Sequence, residues 1–276
     1  MQVKTETTHD FMERMAFEKV KKMIYENSGL NCSGYRNEYL HRRFQIRLRV
    51  TGATTYGKYL VYLKNNPEEY KNLLNDLTVN YTMFFRDPDV YTYLHKTLLP
   101  RILLSSSHVR IWSAGCATGE EPYSLAILVH KVLGHAIENH SVTLYASDID
   151  NDALAKAQAG VYVKKQLGFL DSFSIDKFFT TEGENCKVND FVKRMVHFEH
   201  ADLNTPVLHQ NIDLILCRNV MIYFSKESQQ RIHMNFYNSL KDGGFFVIGK
   251  SEILSGEPYM KFQAIDFLTR IYQKPP

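Results

Sequence analysis

The chain has 276 residues, 44% of them hydrophobic and 23% charged, which is ordinary for a soluble globular protein and long enough for one large domain or two smaller ones. Its formal charge of +3 is too small to demand a nucleic-acid or membrane surface. No apolar run approaches the roughly 20 residues of a membrane span, and the four cysteines, at 32, 116, 186 and 217, form no CxxC pair, so neither a disulfide framework nor a zinc site is expected and a reducing cytosol fits.

The start, MQVKTETTHDFMERM, mixes acids with bases and does not read as a signal peptide. From residue 10 to about 80 the pattern is helical. Phe11, Met15, Val20, Met23 and Ile24 recur at three- to five-residue spacing before Gly29. Tyr39, Leu40, Phe44, Ile46, Leu48 and Val50 repeat the pattern up to Gly52, and TTYGKYLVYLKNN and PEEYKNLLNDLTVN complete four helices, with Pro67 near the first turn of the last. Residues 1–80 are therefore expected to form an all-helical N-terminal subdomain, followed by a linker at 81–107.

From residue 108 strands alternate with helices, which predicts an open α/β sheet over 108–276. VRIWSA, VTLYASD and IDLILCRN read as the first three strands, GGFFVIGKSE and FLTRIYQK as the last two, with helices at 120–133, NDALAKAQA and KESQQRIHMNFYNSL. The rhythm breaks between Gly160 and Met195, where short alternating runs predict a small antiparallel β insertion at about 161–195.

In such a sheet a ligand binds beyond the carboxyl ends of the strands, which singles out three loops. The first, SAGCATGEE, carries Gly115 and Gly119 but neither the dinucleotide fingerprint nor the lysine of a phosphate loop. Glu120 and Glu121 would repel a pyrophosphate and attract a cation, and S-adenosylmethionine is the nucleoside ligand with an ammonium and a sulfonium. The same two acids would also complement a helix dipole. The second loop, YASDID, places Asp148 where an acid accepts from ribose hydroxyls, with Asp150 the better helix cap. The third, LCRNVMIYF, ends an apolar strand with Arg218 and Asn219 and then Tyr223, and a buried arginine requires partners.

Five blocks, LTVNYTMFFRDP, RIWSAGCATGEEPYSLAI, ASDID, LILCRNVMIYF and LKDGGFFVIGKSE, make the chain resemble the chemotaxis receptor glutamate methyltransferases, the CheR family, over nearly its whole length. The resemblance implies a class I S-adenosylmethionine-dependent methyltransferase with a Rossmann-like sheet. It implies cofactor contacts from Asn80, Thr82, Arg86, Gly115, Glu120, Asp148, Arg218 and Asn219, and from the pair Asp202 and Leu203, where the family carries Asn-Leu and this chain an acid. The linker before the first strand thereby joins the cofactor site.

The reaction so implied is displacement at a sulfonium methyl by a receptor glutamate carboxylate, ionised near neutrality with a reference pKa of about 4.3. No strong base is required, and positioning can supply roughly 7–11 kcal/mol. Arg86 and Tyr223 are the expected catalytic residues, orienting the acceptor. Arg42, Arg43, Arg47 and Arg49 crowd one helix and, beside an acidic receptor helix, read as its docking face. Nucleic acid is a poorer partner, with no aromatic stacking motif to support it. The short TTEGENCKVND loop points away from binding a receptor tail, and a cytoplasmic monomer without metal is expected. The alternatives are transfer to a nucleobase or small amine, against which RNVMIYF lacks the prolines of such enzymes, and a binding module without turnover.

Overall fold

The structure is a computed structural model that describes residues 8–168, 170–205 and 209–276; residues 1–7 of the expected helical subdomain lie outside the described residues. The chain divides into two compact units, one running up to Val79 together with Tyr223–Ser228, the other comprising Asn80–Ile222 and Gln229–Pro276.

The first unit is built on α1 (Thr8–Ser28), α2 (Asn37–Thr51), α3 (Tyr56–Asn65) and α4 (Glu68–Leu77). Each buries one stripe: Phe17, Val20 and Ile24 from α1, Tyr39, Leu40 and Phe44 from α2, Tyr59 and Leu63 from α3, Leu73 and Leu77 from α4. Thr55 caps α3 by accepting from the Lys58 amide, and Gly52 ends α2 in the left-handed conformation.

One acid, Glu69, is buried inside this unit. Arg47 forks onto it, Nε to Oε1 at 2.8 Å and Nη2 to Oε2 at 2.7 Å, the Tyr59 hydroxyl donates at 2.8 Å, and Arg47 Nη1 reaches Asp76 at 3.1 Å. Arg47, one of the four arginines expected to dock a receptor, is thus 12% exposed and has its fork bonded within the fold. Arg42 and Arg49 are exposed, and the half-buried Arg43 lies 5.2 Å from the Tyr39 ring. Tyr223 belongs to this unit. Its ring lies 4.9 Å from that of Tyr39, and its carbonyl accepts from the Arg36 amide at 3.0 Å.

The second unit centres on a seven-stranded sheet of β1 (His108–Ala114), β2 (Ser141–Asp148), β6 (Val196–His200), β7 (Ile212–Cys217), β8 (Leu240–Ile248), β9 (Gln263–Asp266) and β10 (Ile271–Gln273), in the order β6-β2-β1-β7-β8-β10-β9. The first five in that order are parallel, and β10 runs antiparallel to both β8 and β9. Chain order reverses between β1 and β7, so the crevice of an open α/β sheet lies at their carboxyl ends. Alternation assigns the two faces. Ile111, Leu144, Leu214, Leu216 and Val247 enter a core with Leu94, Leu98 and Leu125. The intervening Trp112 and Phe246 meet Phe236 of α9 (Lys226–Ser239), with ring centroids 5.2 and 5.3 Å away.

The segment 81–107 carries α5 (Pro88–Tyr93) and α6 (Leu99–Ser105), joined by a π-turn at Leu94–Leu98. The core helices α7 (Glu120–Leu133) and α8 (Asn151–Ala159) follow β1 and β2. The insertion forms a separate three-stranded antiparallel sheet, β3 (Val161–Val163), β4 (Phe179–Glu182) and β5 (Asn185–Val188), ordered β3-β5-β4. Two strand expectations need correction. The third strand of the chain's main sheet is β6, an edge strand beside β2, and FLTRIYQK is no single strand, since FLTR forms the turn between β9 and β10.

Candidate active site

The loop after β1 turns sharply because the Gly115 and Cys116 amides both donate to the Ser147 carbonyl, at 2.8 and 3.0 Å. Gly115 has φ +80°, and a Cβ there would fall 2.6 Å from the Val220 side chain, so its small size lets the loops after β1 and β7 meet. Gly119 caps α7 at φ +95°, and a Cβ on it would stand 2.8 Å from that of Ala157 on α8. The glycines of this loop thus serve close packing.

The two acids that open α7 differ in their partners. Glu121 accepts from the Ser113 hydroxyl at 2.8 Å and faces Arg218 Nη1 at 3.5 Å. Glu120, fully buried, accepts from the Thr118 hydroxyl at 2.6 Å and from Gln166 Nε2 at 3.3 Å. Burial pushes both carboxyls above the ordinary range; Arg218 opposes this at Glu121, but only neutral donors oppose it at Glu120.

Asp148 ends β2. Its Oδ2 accepts from the Ala117 amide at 2.8 Å and its Oδ1 from the Asp150 amide at 3.0 Å, and burial again raises its pKa against those backbone donors. Asp150 caps α8 through the amides of Asp152 and Ala153 and accepts from Asn80 Nδ2 at 2.6 Å, which brings the segment before α5 to the end of β2. Among the described residues neither Glu120 nor Asp148 forms an ion pair with a lysine or arginine.

Arg218, at the end of β7, has its guanidinium committed to the chain. Nη2 bonds the Asp87 carboxylate and donates to the Arg86 carbonyl at 3.0 Å, and the Tyr91 ring lies 5.6 Å away. It thereby clamps the Arg86–Asp87 turn to the start of α7. Phe85, Asp87, Ala117 and Asn219 all hold positive φ, between 47° and 62°, so strained backbone gathers in these loops. Arg86 is half-buried, with Nη1 donating to the Tyr81 carbonyl at 3.0 Å and its guanidinium 5.6 Å from the Tyr81 ring. Thr82 and Leu203 are half-buried, and Asp202 Oδ1 holds a turn by accepting from the Asn204 amide and side chain, at 2.8 and 3.0 Å.

Sequence reasoning did not single out Glu252. This buried acid after β8 accepts the Asn219 amide at 3.0 Å and the Gly249 amide at 2.6 Å through the same Oε2, fixing the left-handed Asn219. An acid closing an otherwise apolar strand, as in VIGKSE, was the available signal. Asp87 was missed because a turn acid beside proline is common.

A parallel sheet edged by an antiparallel pair, with buried acids at its switch point, is the framework of a class I S-adenosylmethionine-dependent methyltransferase. A model of the CheR methyltransferase SAM binding domain matches residues 80–269, and one of the CheR methyltransferase all-alpha domain matches residues 15–78. The chain belongs to the CheR methyltransferase family and is an enzyme whose methyl donor is S-adenosylmethionine. The chemotaxis protein methyltransferase of Escherichia coli K12 is 34% identical over 249 residues, covering 87% of this chain and 84% of that protein. That of Klebsiella aerogenes is 33% identical over 265 residues, 92% and 89% respectively, and that of Borreliella burgdorferi 30% over 251, 87% and 89%. No helix among the described residues is long and apolar enough to cross a membrane.

Proposed function

We propose that the chain transfers the methyl group of S-adenosylmethionine to glutamate side chains of a chemotaxis receptor, forming methyl esters. The observation that carries the donor site is the pair of buried acids, Glu120 and Asp148, without a lysine or arginine partner among the described residues at the switch point. Burying a carboxylate unpaired is costly, and a bound cation relieves that cost. Glu120 is assigned to the cationic end of the donor, Asp148 to its ribose, and Asn80, Thr82, Gly115, Asp202, Leu203 and Asn219 to the remaining wall. Arg218 is assigned to orientation: it fixes Glu121 and the Arg86–Asp87 turn.

The bound donor supplies an electrophilic methyl on sulfur. Arg86 is assigned to draw in and aim the acceptor carboxylate, which needs no base because it is already ionised at neutral pH. Tyr223 is the second residue assigned to the acceptor. Arg42, Arg43 and Arg49 on α2 are assigned to an acidic receptor helix; Arg47, bonded to Glu69, is assigned to holding α2 against α4 beneath that face. The β4–β5 hairpin closes through two residues, 183 and 184, which supports an enzyme that needs no receptor tail. The reading is of a monomer acting in the cytoplasm.

Incubation with labelled S-adenosylmethionine and receptor cytoplasmic fragments tests it. Label released as methanol by alkali is the expected result. Alkali-stable label would mean transfer to nitrogen or carbon, and absence of label a binding module; either overturns the reading.

A further inference from the structure

Antiparallel pairing of β10 with β8, Ile271 opposite Val247, carries the β9–β10 turn to the carboxyl end of β8, the same end of the sheet that holds Arg218 and Asp148. A chain of contacts joins it to the acceptor side of the site. The Ile248 amide donates to the Arg270 carbonyl at 3.2 Å, Arg270 Nε to the Lys250 carbonyl at 3.3 Å, and the Lys250 ammonium bonds Asp89 at 2.6 Å, two residues beyond the Asp87 that Arg218 clamps.

The turn is braced. Asp266 Oδ1 accepts from both the amide and the hydroxyl of Thr269, each at 2.7 Å, and Thr269 is itself buried. On this braced turn Phe267 is 69% exposed and Leu268 80% exposed. Exposed loop tips ordinarily carry small or polar residues, and at these exposures the two side chains are little used in packing against the described residues of the second unit. Tyr81, beneath the Arg86 guanidinium, is a further large ring at the surface, 66% exposed.

We propose that Phe267 and Leu268 are a docking point for the polypeptide that bears the acceptor carboxylate, an acidic amphipathic helix with apolar residues on the face that carries the modified glutamate. A small acceptor would need only the crevice. A helix that brings a glutamate to Arg86 must lie across the rim, and residues three and four positions away share the face that meets it. An aromatic side chain on a rigid support is suited to anchoring such a face. The proposal rests on the carboxylate-transfer reading above and names what lies beside the reacting group.

The test uses the full chain with Phe267→Ser and Leu268→Ser combined. The expected result is a rise of at least tenfold in KM for the receptor fragment, with kcat within twofold and S-adenosylhomocysteine affinity unchanged; Phe267→Trp with Leu268→Met should restore KM. Binding of a labelled receptor fragment to the S-adenosylhomocysteine-loaded protein, followed by fluorescence anisotropy, should weaken by the same factor. Unchanged KM and unchanged binding overturn the proposal, as does loss of cofactor affinity together with turnover. If the unaltered chain forms no alkali-labile ester, it is the transfer reading that fails, and the anisotropy still decides docking: weaker binding by the serine variant upholds it, equal binding overturns it.

Discussion

Glu121 is held by Ser113 and Arg218, whereas the side-chain partners of Glu120 among the described residues, Thr118 and Gln166, are neutral. Their adjacency in EEPYS was legible in the sequence, and so was the attraction of two acids for a cation. Which acid would be spent on the fold was not, because Arg218 lies 97 positions away and only the β1–β7 pairing brings it close. The raised pKa of Glu120 sets a sign. The folded state holds that proton more tightly than the unfolded chain, so stability is greatest below the ordinary carboxylate value and falls as pH rises through the raised one. Glu120→Gln should therefore stabilise the ligand-free protein at pH 7.5 and leave it unchanged near pH 4, while weakening S-adenosylhomocysteine binding at least tenfold. Urea denaturation at the two pH values and calorimetric titration check both parts. Glu252 calls for a different variant. Glu252→Ala leaves the buried Gly249 amide unbonded, at about 1–3 kcal/mol, frees the part-buried Asn219 amide, and should loosen Asn219 and lower cofactor affinity. Glu252→Gln, which keeps an oxygen for both amides, should restore most of that affinity in the same titration.

The elements divide by how much of their pattern is local. α7, α8, β1, β2 and β7 were legible because burial on both faces gives strands continuous apolar runs, and Gly160 marks a helix end. β6, VHFEH, was not, because an edge strand buries only its first residue fully and mixes in polar ones. The segment expected to be a linker carries the helices α5 and α6, whose prolines, Pro88 and Pro100, stand in first turns where they are harmless. In the helical unit, Arg47 shows how a charge run misleads: four arginines on one helix look alike until Glu69 is found opposite one of them. Arg47→Ala leaves Glu69 buried without its cation and should cost about 3 kcal/mol or more, read as a lower denaturation midpoint. Arg42→Glu with Arg49→Glu should leave the midpoint nearly unchanged and weaken receptor binding in a salt-dependent way. Gly119→Ala combines a left-handed backbone with a Cβ 2.8 Å from that of Ala157, and should destabilise by at least about 2 kcal/mol in the same measurement.

Over the whole molecule, two kinds of buried titratable group pull stability in opposite directions with pH. Glu120, Asp148 and Glu252 have carboxyls raised by burial, and each favours the folded chain at low pH. His233 on α9 is 1% exposed with neither ring nitrogen bonded among the described residues, and burial lowers its pKa to about 4. Its contribution is complete above its unfolded value of about 6.5 and is lost as pH falls towards 4. The ligand-free protein should therefore be most stable at mildly acid pH, where the carboxyls are partly relieved and the histidine is not yet forced to charge. A ligand at one hundred times its Kd stabilises by about 2.7 kcal/mol, and a cation placed against Glu120 also draws that carboxyl back towards its ordinary range. Relief of an ionised carboxylate is worth most where the group is fully ionised. The rise in Tm on saturation with S-adenosylhomocysteine, which keeps the ammonium, should consequently be larger at pH 7.5 than at pH 5.5, and that difference should shrink in Glu120→Gln. An equal rise at both pH values that is also unchanged in Glu120→Gln would show that the cationic end of the ligand rests elsewhere.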